Sequence, residues 1–120
     1  MAFYVCNAFS INMLASALME DAGDDVTITV RRAGGDPKNW ITEEETHGPG
    51  KAISAVGHAD TAAIFSAILG RELAAARTTL MITPEDVLLV GQYSGPRLPE
   101  GATELPANAE VRWFWVTVEV

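Results

Sequence analysis

The sequence has 120 residues, enough for one compact domain that buries roughly two thirds of the surface of its unfolded chain. Apolar residues make up 48% and charged residues 20%, which favours a packed core over disorder. The net charge of −8 argues against a protein that binds long DNA or RNA or an anionic membrane. A small anion held by a few arginines remains compatible with this charge.

The sequence also predicts a protein that stays in the cytoplasm. Its longest apolar run is far short of the ~20 residues of a membrane span, and its N-terminus lacks the basic flank of a signal peptide. The single cysteine, Cys6, excludes an internal disulfide and fits a reducing compartment. We expect Cys6 to be a small buried apolar residue of the first strand.

The first part of the chain predicts two strands, one helix and one long loop. "AFYVC" (2–6) is typical of a strand, and "SINMLASALM" (10–19) predicts a helix with Ser10 as its N-cap. "VTITVRRA" (26–33) alternates as a second strand does. Residues 34–50 contain several Gly and Pro residues and an acidic run, which predicts a long loop or insertion over the surface.

The rest of the chain predicts four strands and a second helix. The helix covers 60–75, with Gly70 as a weak point and Asp60 or Thr61 as its cap. The strands are predicted at 51–57, 77–82, 86–93 and 110–120. The order β-α-β-β-α-β-β-β predicts an α/β fold, in which residues 1–120 form a single domain with one mixed sheet flanked by helices.

Most of the polar residues that could bind a ligand lie where one predicted element ends and another begins. A lone histidine in such a place is more often structural than catalytic, a serine there can be only a helix cap, and an arginine there can be only a solvated charge. The candidates are Asn7 and Ser10, His58, Arg77, Gln92, and Arg97 with Glu100.

Two of these candidates occupy equivalent places. Asn7 and His58 each follow a predicted strand and precede a predicted helix. If the two strands are parallel, both loops lie at the rim where open α/β sheets bind ligands, and a helix N-terminus favours phosphate. Arg97 lies in "GPRLPEG", a loop stiffened by two prolines. There its guanidinium can clamp a phosphate, or form a surface ion pair with Glu100.

Other chemistries lack their sequence patterns. His47 and His58 are isolated from any cysteine or second histidine, so no metal site is predicted. "HGPGK" (47–51) lacks the P-loop pattern, and no nucleophile elbow supports a triad that includes Ser10. No cofactor is predicted. The tryptophans are most economically core or interface residues, and Trp113 and Trp115 share one strand face.

In combination, these segments resemble the family of viral and bacterial ring nucleases, whose viral members are type III anti-CRISPR proteins. The resemblance rests on "NAFSINML", "AVGHADTAAIFSAILG", an arginine opening the next strand, and "QYSGPRLPEG". It covers most of the chain. It implies metal-independent cleavage of cyclic tetra-adenylate to linear di-adenylate with a 2′,3′-cyclic phosphate end. It also implies a homodimer that holds the ring across its twofold axis.

The resemblance also implies roles for single residues. His58 matches the catalytic histidine, and Arg97 and Glu100 match the Arg and Glu of the loop motif. Asp60 stands where viral members usually have a small residue, and it is not assigned to ligand binding. The remaining matches are ligand-contacting positions: Asn7, Ser10, Arg77 and Gln92.

Two other functions remain open on the sequence alone. The first is a non-catalytic sensor or sponge that binds a cyclic oligoadenylate without cutting it. Such a protein would keep the arginines and lose the histidine, so His58 favours the enzyme. The second is an interaction protein whose exposed Trp40 and acidic loop dock a partner, which leaves "GPRLPEG" without a purpose.

Overall fold

A computed structural model describes residues 1–14, 20, 23, 25–48 and 50–119. Within them the chain forms one five-stranded mixed sheet with the strand order β2-β5-β4-β1-β3. The strands are β1 (Phe3–Cys6), β2 (Thr27–Arg32), β3 (Ala52–Ala55), β4 (Val87–Ser94) and β5 (Glu110–Glu119). The α/β fold with a mixed sheet is therefore confirmed.

The strand directions decide where the loops lie. β1 pairs in parallel with β3 on one side and with β4 on the other, so that Cys6 lies opposite both Ala55 and Val90. β5 is antiparallel to both β4 and β2. The carboxyl ends of β1, β3 and β4 therefore lie on one edge of the sheet, which we call the carboxyl rim.

The predicted loop over residues 34–50 is wrong, because helix α1 (Pro37–His47) occupies most of it. The Asp36 carboxylate accepts a hydrogen bond of 3.0 Å from the Lys38 backbone N–H, and Pro37 opens the first turn, two features that favour a helix start. Trp40 and Ile41 are buried from this helix. Trp40 is therefore a core residue and not an exposed docking residue.

The second predicted helix exists but is shorter than expected. Helix α2 (Ala59–Leu69) ends where Gly70 adopts the left-handed conformation at φ +66°, the usual helix stop, so residues 71–75 are not helical. Its N-cap is His58, and neither Asp60 nor Thr61 takes that position. In the part of the chain that the structure describes, no helix is both long and apolar enough to cross a membrane.

The first predicted helix begins differently from the expectation. Ser10 takes the N-cap position, but of a three-residue 3-10 turn (Ile11–Met13), after which Leu14 returns to an extended backbone. Residues 15–19 of the predicted helix lie outside the described residues.

The predicted strand at 77–82 is also wrong. Only Ile82 forms a bridge, with Leu14. The chain here runs past the edge strand β3, where the Ser54 hydroxyl donates to the Ala74 carbonyl (2.6 Å) and the Ala76 N–H donates to the Val56 carbonyl (2.8 Å). Leu80 and Ile82 pack on the second face of the sheet, which explains their apolar character without a sixth strand.

Apolar side chains pack against both faces of the sheet. The first face, which α1 and α2 cover, includes Phe65 and Trp113 with ring centroids 4.6 Å apart. Trp115 lies on this same face, as the alternation predicted.

Cys6 is buried on the second face, and burial raises the pKa of its thiol to about 11, so the thiol stays protonated at neutral pH. The prediction that Cys6 is a small buried residue of the first strand is confirmed.

Gly91 of β4 offers a test of this packing. A Cβ there would lie 2.6 Å from both Phe65 Cζ and Trp113 Cζ3, closer than a side chain tolerates. Gly91→Ala should therefore lower the free energy of unfolding by about 1–3 kcal/mol, the usual cost of overpacking. Urea titration measures this value. Gly34→Ala is the control, because a Cβ at Gly34 meets nothing within 4 Å. Equal stability of the two variants would contradict the packing described here.

Candidate functional site

The carboxyl rim brings together three loops that were separate in the sequence. One follows β1 and holds Asn7, a second follows β3 and holds His58, and the third follows β4 and holds Arg97 and Glu100. The parallel arrangement that the sequence left conditional is thus present. Parallel strands ending side by side are the usual ligand-binding edge of open α/β sheets.

A hydrogen bond joins the first two loops. The Asn7 side-chain oxygen accepts from the Gly57 backbone N–H over 3.4 Å, so Asn7 fixes the loop after β1 against the residue that precedes His58. The same amide side chain keeps its N–H₂ group available for other partners, since only its oxygen takes part in this bond.

Arg77 belongs to the rim although it does not open a strand. Its Nε donates a 3.2 Å hydrogen bond to the Gly57 carbonyl oxygen. This bond uses one of the five N–H donors of the guanidinium and leaves both terminal amino groups free of this contact. Arg77 is exposed. The side chain is therefore oriented by the protein and still open to an anion.

These residues surround a cavity of about 530 Å³, which we call the central cleft. Its size falls within the roughly 300–1,000 Å³ that is common for ligand sites. Asn7, His58 and Arg77 are three of its polar lining residues, and Thr78 and Thr79 add hydroxyl groups. The two threonines were missed in the sequence, where "RTT" offered only their position beside Arg77 as a signal.

A second cavity, the loop cleft, opens on the other side of His58. It measures about 840 Å³ and is lined by His58, Arg97 and Glu100 together with Asp60, Thr61, Tyr93, Leu98 and Pro99. The structure thus brings the three residues of the predicted catalytic set to one cavity. His58 lines both the central cleft and the loop cleft.

Arg97 is exposed and takes part in no ion pair within 4.0 Å among the described residues. The alternative in which Arg97 and Glu100 only form a surface ion pair is therefore not what the structure shows. An arginine without a carboxylate partner, next to a histidine, is suited to bind a phosphate.

Val90 of β4 pairs with Cys6, the last residue of β1, so β4 continues past the end of β1. Gln92 lies on this extension, two residues after Val90. Gln92 and Asn7 line a third cavity of about 380 Å³, the strand cleft, together with the apolar Val30 and Phe114. Asn7 thus contributes to two cavities, the central cleft and the strand cleft. Ser10 is exposed and lines none of the three clefts.

Two further residues of the loop cleft, outside the predicted site set, hold the loop after β4 by hydrogen bonds. Tyr93 donates from its hydroxyl to the Pro96 carbonyl oxygen over 2.5 Å, and Asp60 accepts from the Gly101 N–H over 3.1 Å. Neither bond has a sequence signal, because each depends on how the loop after β4 folds back. Over the described part of the chain, no three His, Cys, Asp or Glu side chains cluster in a way that could hold a metal ion.

A family model described as STIV B116-like matches residues 3–112 of this sequence. The chain belongs to the STIV B116-like family. Among solved structures, the chain is similar to B116 of Sulfolobus turreted icosahedral virus, with 24% sequence identity and a TM-score of 0.72. The match covers 98% of this chain and 99% of the viral chain, and at this identity it shows a shared fold. No curated protein sequence matches this chain.

Proposed function

We propose that this member of the STIV B116-like family is a ring nuclease that cuts cyclic tetra-adenylate into linear di-adenylate with a 2′,3′-cyclic phosphate end. Such a reaction would switch off type III CRISPR effectors in the cytoplasm of a bacterial or virus-infected cell. The observation that carries the proposal is the position of His58, on the wall shared by two clefts, with Arg77 in one and Arg97 in the other.

The proposed reaction makes few demands on the protein. The attacking group is the ribose 2′-oxygen of the ligand, which bonds to phosphorus while the bond from phosphorus to the 5′-oxygen breaks. The protein must hold the 2′-oxygen in line with the leaving oxygen, neutralise the charge on the phosphate, and supply a proton to the 5′-oxygen. Each task corresponds to a side chain of the carboxyl rim.

His58 is the proposed proton donor. The His58 side chain is exposed and, among the described residues, makes no hydrogen bond. Its imidazole is therefore free to donate to the leaving oxygen of a ligand. Histidine is the side chain that most often serves as a general acid, because its imidazole can donate a ring N–H proton to a leaving oxygen. Such a proton donor contributes roughly 10²–10⁴-fold to a rate.

The two arginines are proposed to neutralise phosphate charge from opposite sides of His58. Arg77 is oriented through its Nε, and Arg97 is free of ion pairs within the described residues. Glu100 is proposed to orient Arg97 or His58, because all three line the loop cleft. Asn7 and Gln92 offer amide groups to bases or phosphates along the strand cleft. Ser10 lines none of these clefts and has no role in the proposal.

We also propose that two copies of the chain form the complete site. Exposed apolar side chains occur close to site residues: Val30, which lines the strand cleft with Asn7, is 56% exposed, and Ile11, in the turn that follows the loop of Asn7, is 68% exposed. A cyclic tetranucleotide has four equivalent phosphates, so a twofold axis through the ring would give each chain one half to bind. A pair of chains also doubles the arginines around the anion, which helps an acidic protein to bind it.

The enzyme proposal is tested by incubating the protein with cyclic tetra-adenylate in EDTA and separating the products by chromatography. We expect the wild type to release di-adenylate with a cyclic phosphate end, and His58→Ala to be slower by roughly 10²–10⁴-fold. His47→Ala is the matched control, because His47 is the other histidine and lies at the end of α1. Its rate should equal that of the wild type.

Each alternative predicts a different result. If neither the wild type nor His58→Ala cuts the ring, yet the ring raises the melting temperature of both, the chain is a sensor or sponge. If cyclic tetra-adenylate changes the melting temperature of neither protein, the proposed ligand is wrong. The fold and the family membership would be unaffected by that result. Equal loss of rate in His47→Ala and His58→Ala would contradict the role given to His58.

The dimer is tested by light scattering during size-exclusion chromatography. One chain has a mass of 12.8 kDa, and we expect a species of about twice this mass. The mass should stay constant on dilution through the concentrations used for the cleavage assay. A single-chain mass at those concentrations, in a protein that still cuts the ring, would show that one rim is sufficient.

A further inference from the structure

In the loop between β4 and β5, the segment 95–101 contains the proposed catalytic Arg97 and Glu100 and is held by a hydrogen bond near each of its ends. Near its start, the Tyr93 hydroxyl donates to the Pro96 carbonyl oxygen over 2.5 Å. At its end, the Gly101 N–H donates to the Asp60 carboxylate over 3.1 Å. Arg97 and Glu100 therefore lie on a short span held between two hydrogen bonds.

The two anchors differ in where they attach the loop. Tyr93 belongs to β4, the strand from which the loop emerges, so its bond is local. Asp60 belongs to the first turn of α2 and is 41 residues away from Gly101 in the sequence. The bond to Asp60 is thus a polar contact that joins the loop to α2, the helix that begins directly after His58, beside the apolar packing of Leu98 and Ala102 on the core that α2 helps to form.

Helix α2 is a rigid support for such a contact. Ile64, Phe65 and Leu69 of this helix are all at most 1% exposed, so the helix cannot shift without opening the core. A site group held on a rigid element is placed more accurately than one on a free loop. Because Asp60 and His58 are both fixed by the start of α2, an anchor at Asp60 sets the loop relative to His58.

We propose that Asp60 is a positioning residue, which holds the 95–101 loop against α2 so that Arg97 faces the same ligand phosphate as His58. The anchoring of the loop stands on the hydrogen bond alone, whereas its effect on catalysis rests on the proposed function. On this account the carboxylate does not bind the ligand. Its Oδ1 accepts the Gly101 N–H, which explains why an acid is tolerated in a cleft for an anion.

The conservative variant separates hydrogen bonding from charge. Asp60→Asn keeps a carbonyl oxygen at the same place and loses the negative charge, whereas Asp60→Ala loses the acceptor. A positioning role therefore predicts that Asp60→Asn keeps the loop anchored as in the wild type and that Asp60→Ala does not. A role that depends on the charge of Asp60 predicts that both variants behave alike.

The first measurement is the rate at which trypsin cuts after Arg97 in the ligand-free protein, with cleavage sites identified by mass spectrometry. Cleavage of a transiently opened loop follows the population of its open form. Loss of one hydrogen bond should raise cleavage after Arg97 about fivefold in Asp60→Ala. Asp60→Asn should match the wild type. Glu85→Ala is the control, since Glu85 is an exposed acid that lies outside the three clefts and away from every trypsin site.

Cleavage after Arg71 and Arg77 in the same digests separates loop opening from general unfolding. In Asp60→Ala we expect faster cleavage after Arg97 without a matching rise at these two sites. An unchanged rate after Arg97 would overturn the proposal, and so would an equal rise at all three sites. This measurement needs no ligand, so its outcome is independent of the proposed function.

The second measurement is turnover of cyclic tetra-adenylate by the same variants. Asp60→Ala should lower kcat about fivefold or more, and Asp60→Asn should restore kcat to near the wild-type value. If Asp60→Asn is as slow as Asp60→Ala, the carboxylate acts by its charge and the positioning role is wrong. If the wild type itself cuts no ring while the trypsin result is as expected, the proposed function fails and the loop anchor stands.

Discussion

The parallel pairing of β1 with both β3 and β4 is the constraint on which the candidate site depends. The register that places Cys6 opposite Ala55 and Val90 makes three chain segments leave the sheet on one edge. Hydrogen bonds then join these segments to one another, as between the Gly57 N–H and the Asn7 side-chain oxygen. At the opposite edge, the buried Asp86 carboxylate accepts hydrogen bonds from the backbone N–H groups of Ala2 and Thr83.

Among the described residues, the candidate site is positioned by hydrogen bonds to backbone groups, and none of the salt bridges involves its arginines. The Arg77 side chain is held at the Gly57 carbonyl, and the segment 95–101 that carries Arg97 is held by Tyr93 and Asp60. These bonds place two cationic residues without neutralising them. The proposed anion site is therefore compatible with a chain whose net charge is −8. The helix dipole at the start of α2 adds to the same local field beside His58.

The sequence predicted the parts of the fold that follow from local patterns and failed where tertiary contacts decide. All five strands were located, because their apolar alternation reflects burial on one or both faces. Helix α1 was missed because flanking glycines and prolines dominated, although Asp36 before Pro37 was a usable start signal. The segment 77–82 looked like a strand because the buried Ile82 and the half-buried Leu80 pack on the sheet without forming a strand of it. The shared rim of Asn7 and His58 was predicted on the condition that their strands are parallel, whereas the position of Arg97 beside His58 and the anchoring by Asp60 required the fold.

The most direct test of the central claim is to locate the bound ring on the protein. Amide NMR spectra of ¹⁵N-labelled His58→Ala, which should bind without turnover, would be recorded during titration with cyclic tetra-adenylate. If the ring binds at the proposed site, the largest shifts should occur at the carboxyl rim, at the amides of Asn7, Gly57 and Gly101. Shifts confined to the opposite edge, around Ala2 and Asp86, or no shifts at saturating ligand, would contradict it.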